Sequence, residues 1–127
     1  MLIDDDQNDN FYHQREIKKV NPNITIVTKT TGVDALEYLK SNKENIDMLP
    51  DLIYLDINMP LMNGWEFLVA YEKLDEILQS GTIIIMLSSS GNLEDITRAM
   101  AFSCVSDYIT KPLTSEITGN IFKIYFN

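Results

Sequence analysis

Cysteine, histidine and positive charge are scarce in this chain, and each shortage closes off a class of function. Cys104 is the only cysteine. It cannot form an internal disulfide, and it points to a reducing compartment, the cytoplasm by default. The one histidine, His13, leaves no histidine or thiol set at ligand spacing, which argues against a zinc-type site. Ten basic residues stand against nineteen acidic ones, for a formal charge of -9. Such a chain has no sequence-independent grip on nucleic-acid phosphates, so any DNA contact is expected to run through a partner. The plainer meaning of most of these acids is a solvated surface. No apolar run approaches the roughly 20 residues that span a bilayer, and the start Met1-Leu2-Ile3-Asp4 lacks the basic and apolar regions of a signal peptide. No membrane contact and no export are therefore expected. There is also no internal repeat, low-complexity tract or Pro/Gly-rich linker, so the 127 residues, 45% of them hydrophobic, are read as one domain spanning 1–127.

What is present is an alternation. Short apolar runs occur at Leu2-Ile3, Ile24-Thr25-Ile26-Val27, Leu52-Ile53-Tyr54-Leu55, Thr82 to Leu87 and Asp107-Tyr108-Ile109. Amphipathic stretches follow each of them, at residues 7–20, 32–41, 64–78, 92–102 and 114–125. In the second stretch Val33, Leu36 and Leu39 form one stripe with Asp34, Glu37 and Lys40 outside it. Asn92 is placed to cap the fourth, with Asp95 three residues on. The third and fourth apolar runs are continuous instead of alternating, which suits parallel strands covered on both faces. Five strands joined by connections too long for hairpins predict an α/β fold, a doubly wound parallel sheet with helices on both faces. In such a sheet the ligand site lies beyond the carboxyl ends of the strands.

The strand ends carry the chemistry. The first run ends in Asp4-Asp5-Asp6, the third in Asp56, the fourth in Ser88-Ser89-Ser90, and the fifth leads into Lys111. Carboxylates gathered on one rim raise each other's pKa unless a cation holds them. An all-oxygen set points to Mg²⁺, which completes its octahedron with water and phosphate. A carboxylate can also act as a nucleophile and form an aspartyl phosphate, given a metal, a second cation and a small hydroxyl. Asp56, the lone acid at the end of the central strand, is the expected nucleophile, with Ser88 and Lys111 on the phosphoryl oxygens. Any one of these residues has a plainer role: Asp6 reads better as a helix cap than as a ligand, and Ser88 or Lys111 alone would mean little. Their joint placement at the strand ends carries the case.

From Pro50 to Glu66 the sequence Pro50-Asp51-Leu52-Ile53-Tyr54-Leu55-Asp56-Ile57-Asn58-Met59-Pro60-Leu61-Met62-Asn63-Gly64-Trp65-Glu66 resembles the phospho-acceptor strand and loop of response-regulator receiver domains, and the likeness extends over essentially the whole chain. The resemblance implies a flavodoxin-like strand order, 2-1-3-4-5. It implies that Asp5, Asp56 and the Asn58 backbone carbonyl ligate Mg²⁺ directly, that Asp4 acts through water, and that Lys111-Pro112 is a cis peptide. By the same analogy Ser88 and Tyr108 are switch residues, Asn58, Ser89 and Ser90 govern phosphoryl lifetime, and the face of helix four, strand five and helix five changes its affinity for a downstream protein. The implied donor is a histidine kinase or a histidine phosphotransfer protein, and the implied state a monomer or a phosphorylation-dependent dimer. The chain would be no enzyme beyond its own phosphorylation and dephosphorylation.

Some residues depart from that pattern. Asn63 replaces the usual Asp before Gly64, Ser89 a more frequent Ala or Gly, and Leu113 a frequent Phe. The first strand starts two or three residues short, which leaves room for an upstream piece, and an end at Asn127 fits either a single-domain regulator or a fragment. His13 is expected at the surface, and Trp65 in helix packing. Two other readings are a receiver fold that no longer cycles and only docks a protein, and a phosphatase. Asp56-Ile57-Asn58 resembles the Asp-x-Asp of haloacid-dehalogenase-type phosphatases, but the second acid, their general acid/base, is missing.

Overall fold

In the computed structural model, which describes residues 1–126, the alternation becomes β1 (Leu2–Ile3), α1 (Gln7–Val20), β2 (Thr28–Lys29), α2 (Gly32–Ser41), β3 (Leu52–Asp56), α3 (Gly64–Glu72), β4 (Ile83–Ser88), α4 (Leu93–Met100), β5 (Val105–Thr110) and α5 (Ser115–Tyr125). All strand pairings are parallel, in the order β2-β1-β3-β4-β5. This is the flavodoxin-like doubly wound sheet expected from the sequence. Successive side chains of a strand point to opposite faces, and the core is accordingly split in two. Ile53, Leu55, Ile84 and Met86 cluster with Leu36, Leu39, Phe67 and Leu68 of α2 and α3. Tyr54, Ile85 and Leu87 cluster with Ile17 of α1 and Ile121 of α5. Each large aliphatic side chain fully buried in these layers contributes roughly 1.5–3 kcal/mol, and with both faces covered β3 and β4 are apolar up to their last residues, Asp56 and Ser88.

Caps set where the helices start. Asp6, Thr31, Asn63, Asn92 and Thr114 each accept a backbone N–H of the first turn that follows. Asp6 thus takes the capping role preferred for it. Asn92 bonds the amide of Glu94. Asn63, in extended backbone, forms a full capping box with Glu66.

Two boundaries differ most from expectation. The second strand is not Ile24–Val27 but Thr28–Lys29, because β1 pairs Leu2 with Thr28 and Ile3 with Lys29, and no strand pairing among the described residues includes Ile24 to Val27. The third helix stops at Glu72 instead of 78. The chain breaks there into a short 3-10 turn, Glu76–Leu78, which buries Leu78, and Gln79 reaches back to the Leu74 carbonyl at 2.7 Å. No helix among the described residues is long and apolar enough to cross a membrane.

Candidate functional site

The parallel sheet brings the ends of β1, β3, β4 and β5 to one rim. Asp4 and Asp5 leave β1 there, and Asp56 closes β3. Their carboxylates lie close enough that one oxygen from each falls within 4.8 Å of the others. Asp4 and Asp56 are buried and Asp5 is exposed. Asp4 is fixed on two sides: its Oδ1 accepts the Asp6 amide at 3.0 Å, and its carbonyl accepts the buried Asn10 amide at 2.9 Å. Asp6, occupied with the amides of Asn8 and Asp9, stands outside the group.

Lys111 crosses the rim from β5. Its Nζ lies 2.8 Å from Asp4 Oδ2, 2.8 Å from Asp9 Oδ2 and 3.3 Å from Asp56 Oδ1. Burial opposes its charge, but the bonds to Asp4 and Asp9 outweigh that and hold the ammonium above its usual pKa. Asp56 goes the other way. Burial, and then the charge of Asp4, push it up to about 6, against which Lys111 pulls only in part. One ammonium therefore serves three carboxylates, Asp4, Asp9 and Asp56, and Asp5 adds a fourth to the rim beyond them. A hard divalent cation fits what remains, since the donors are all oxygen and converge on one point.

Ser88 and Tyr108 sit beside this group rather than in it. Ser88 is fully buried one residue beyond the Asp56–Leu87 pairing of β3 and β4, and its Oγ accepts the Ser90 amide at 3.1 Å. The Ser88 carbonyl accepts the Lys111 amide at 2.7 Å, which ties the two strand ends together. Tyr108 is half-buried, and its hydroxyl donates to the Ser90 carbonyl at 2.6 Å. Ser89 and Asn58 are exposed at the mouth, Ser90 is half-buried, and the Lys111–Pro112 peptide is cis.

Two features differ from the sequence reading or escape it. His13, expected at the surface, is buried on the inner face of α1 beside the edge of Tyr12, and burial foremost lowers its pKa. The helix turns Asn10, His13 and Ile17 inward toward its neighbours. Asp9 has no role in the sequence reading, where its place in the first turn of α1, favourable for an acid, is the only signal it gives. Trp65 packs as expected, stacked on Phe102 with Arg98 4.5 Å above its ring.

A carboxylate rim with a bridging lysine thus stands at the carboxyl end of a doubly wound 2-1-3-4-5 α/β sheet, and comparison with known proteins places such a chain in a family. The family model of the response regulator receiver domain matches residues 1–120, and the chain belongs to that family. The sensor histidine kinase CheAY of Helicobacter pylori is 31% identical over 123 residues, which are 97% of this chain but 14% of that protein. A two-component response regulator from Cytophaga hutchinsonii superposes with a TM-score of 0.90 at 32% identity, covering 99% of this chain and 94% of that one. The phosphorylated cyanobacterial phytochrome response regulator RcpA superposes with a TM-score of 0.80 at 28% identity, covering 99% and 91%. The chain spans well under two thirds of the length of the first curated relatives it matches.

Proposed function

We propose that this receiver domain, read as one unit over 1–127, is a stoichiometric phosphoryl switch in the cytoplasm. A histidine kinase or histidine phosphotransfer protein presents a phosphohistidine. An oxygen of the Asp56 carboxylate attacks the phosphorus as the P–N bond breaks, and the imidazole leaves. Asp5, Asp56 and the Asn58 carbonyl would hold Mg²⁺, with Asp4 acting through water, and the ion would neutralise charge on the transferring group. Lys111 supplies the second cation, and the Ser88 hydroxyl a hydrogen bond to the new phosphoryl oxygens. Turning Ser88 toward the phosphoryl frees the Ser90 amide it now accepts, and this loosens the carbonyl that Tyr108 holds. The face of α4, β5 and α5 then changes its affinity for a downstream protein. Ser89, Ser90 and Asn58, at the mouth, govern water access and so the lifetime of the phosphoryl group. The domain turns over nothing but its own phosphate, and it acts as a monomer or as a dimer that forms on phosphorylation.

The observation that carries this reading is the convergence of Asp4, Asp5 and Asp56 within 4.8 Å, with Lys111 3.3 Å from Asp56. The phosphorylated state of RcpA, similar over 99% of this chain, supports it. Acetyl phosphate with Mg²⁺ is expected to add the mass of one phosphoryl group to the wild type and none to Asp56→Asn. A mass gain that survives in the variant would remove Asp56 from the mechanism.

A further inference from the structure

The switch reading gives work to Asp4, Asp5, Asp56, Ser88 and Lys111 but none to Asp9. Yet Asp9 lies as close to the Lys111 ammonium as Asp4 does, 2.8 Å in each case. Its backbone is fixed, since its amide bonds the Asp6 cap at 3.2 Å. Its side chain is 38% exposed, against 5% for Asp4. It also stands outside the convergent group of Asp4, Asp5 and Asp56. Asp9 is thus arranged to hold the ammonium and not a cation bound by that group.

An ammonium has three N–H donors, and three carboxylates already surround this one, from α1, β1 and β3. A phosphoryl group on Asp56 adds three strong acceptor oxygens and up to about two negative charges. It can gain Lys111 only by exchange with bonds the lysine already makes. Of the two residues that bond it at 2.8 Å, Asp9 is the one that draws it toward α1 and away from the acceptor strand.

Resting on the phosphoacceptor reading, we propose that Asp9 is a positioning residue that competes with the phosphoryl group for Lys111. It sets the affinity of the site for phosphoryl-like anions through the lysine, without contacting them itself.

The test is a beryllofluoride titration of the Mg²⁺-loaded wild type, Asp9→Asn and Asp9→Glu, beside a Mg²⁺ titration of each. Asp9→Asn is expected to bind beryllofluoride about three- to fivefold more tightly, the scale of one partly exposed ion pair, with Mg²⁺ affinity within about twofold of wild type. Asp9→Glu keeps the charge and is expected near wild type. Unfolding of metal-free Asp9→Asn, Lys111→Met and the double variant should be non-additive, because the pair acts through direct contact. Unchanged or weaker beryllofluoride binding in Asp9→Asn overturns the proposal. So do equal shifts in Mg²⁺ and beryllofluoride affinity, which would mark a general charge effect, and so does additive unfolding. A wild type that takes neither beryllofluoride nor phosphate would sink the acceptor reading, and this inference with it. A wild type that takes both while Asp9→Asn shows no gain would sink the Asp9 role alone.

Discussion

A Cβ built on Gly64 would lie 2.8 Å from the Asp56 carbonyl oxygen and 2.8 Å from the Ile57 Cα, both rigid backbone atoms. The first turn of α3 comes this close because the Gly64 amide bonds the Ile57 carbonyl at 2.7 Å. Gly64 is needed for space, so Gly64→Ala must push the helix off the loop that carries Asn58. The expected cost is about 1–3 kcal/mol in urea unfolding, together with weaker Mg²⁺ binding. A variant as stable as wild type would mean that the loop yields freely. In the sequence Asn63-Gly64 reads as a turn, but the steric reason for the glycine does not, since the atoms it must clear belong to the end of another element. Asp9 and His13 were hidden in the same way. Asp9 bonds a lysine about a hundred positions away in sequence, and His13, four residues further along the helix, feels the charge of that lysine; only the docking of α1 reveals either.

Between elements, a short polar link through the core joins β3 to α5. The buried hydroxyls of Tyr54 and Thr118 lie 2.6 Å apart, within the apolar layer of Leu2, Ile85 and Ile121. Tyr54→Phe leaves the Thr118 hydroxyl without this partner and is expected to cost about 1–2 kcal/mol. Tyr54→Phe with Thr118→Val removes both polar groups and should recover most of that loss by chemical denaturation. A double variant no better than the single one would show that the hydroxyls do not act as a pair. Elements were legible where one local rule decided them. Sandwiched between helices, β3 and β4 announce themselves as apolar runs, and the capped start of α4 at Asn92 is visible as a residue type, whereas the cap of α3 at Asn63 reads from the sequence only as a turn. β2 is not legible because the choice between Ile24–Val27 and Thr28–Lys29 depends on the register with β1, which the sequence does not display. The end of α3 was overrun because the periodicity continues to Leu78, although that residue reaches the core from a separate turn.

For the molecule as a whole, the carboxylate rim is a place where stability is given up, and the pH dependence should show it. Folding raises the Asp56 pKa from the ordinary 3.8 to about 6 in the metal-free protein, chiefly by burial and then by the charge of Asp4. The folded state therefore holds this proton more tightly than the unfolded chain does. The stabilisation this gives is complete below about pH 4 and is lost as the pH rises through about 6, where Asp56 must ionise in place. Over that window the loss is on the order of 2 kcal/mol. Asp56→Asn has no proton to lose there. Measured in chelator at low salt, its unfolding free energy relative to wild type should rise by about that amount between pH 4 and pH 7. Saturating Mg²⁺ at pH 7 should then narrow the gap, because a ligand that binds only the folded wild-type rim stabilises that protein more than the variant. A gap that stays constant across the pH range would mean that Asp56 carries no electrostatic strain. The carboxylate cluster would then be held at rest by Lys111 alone, with no standing demand for a divalent ion.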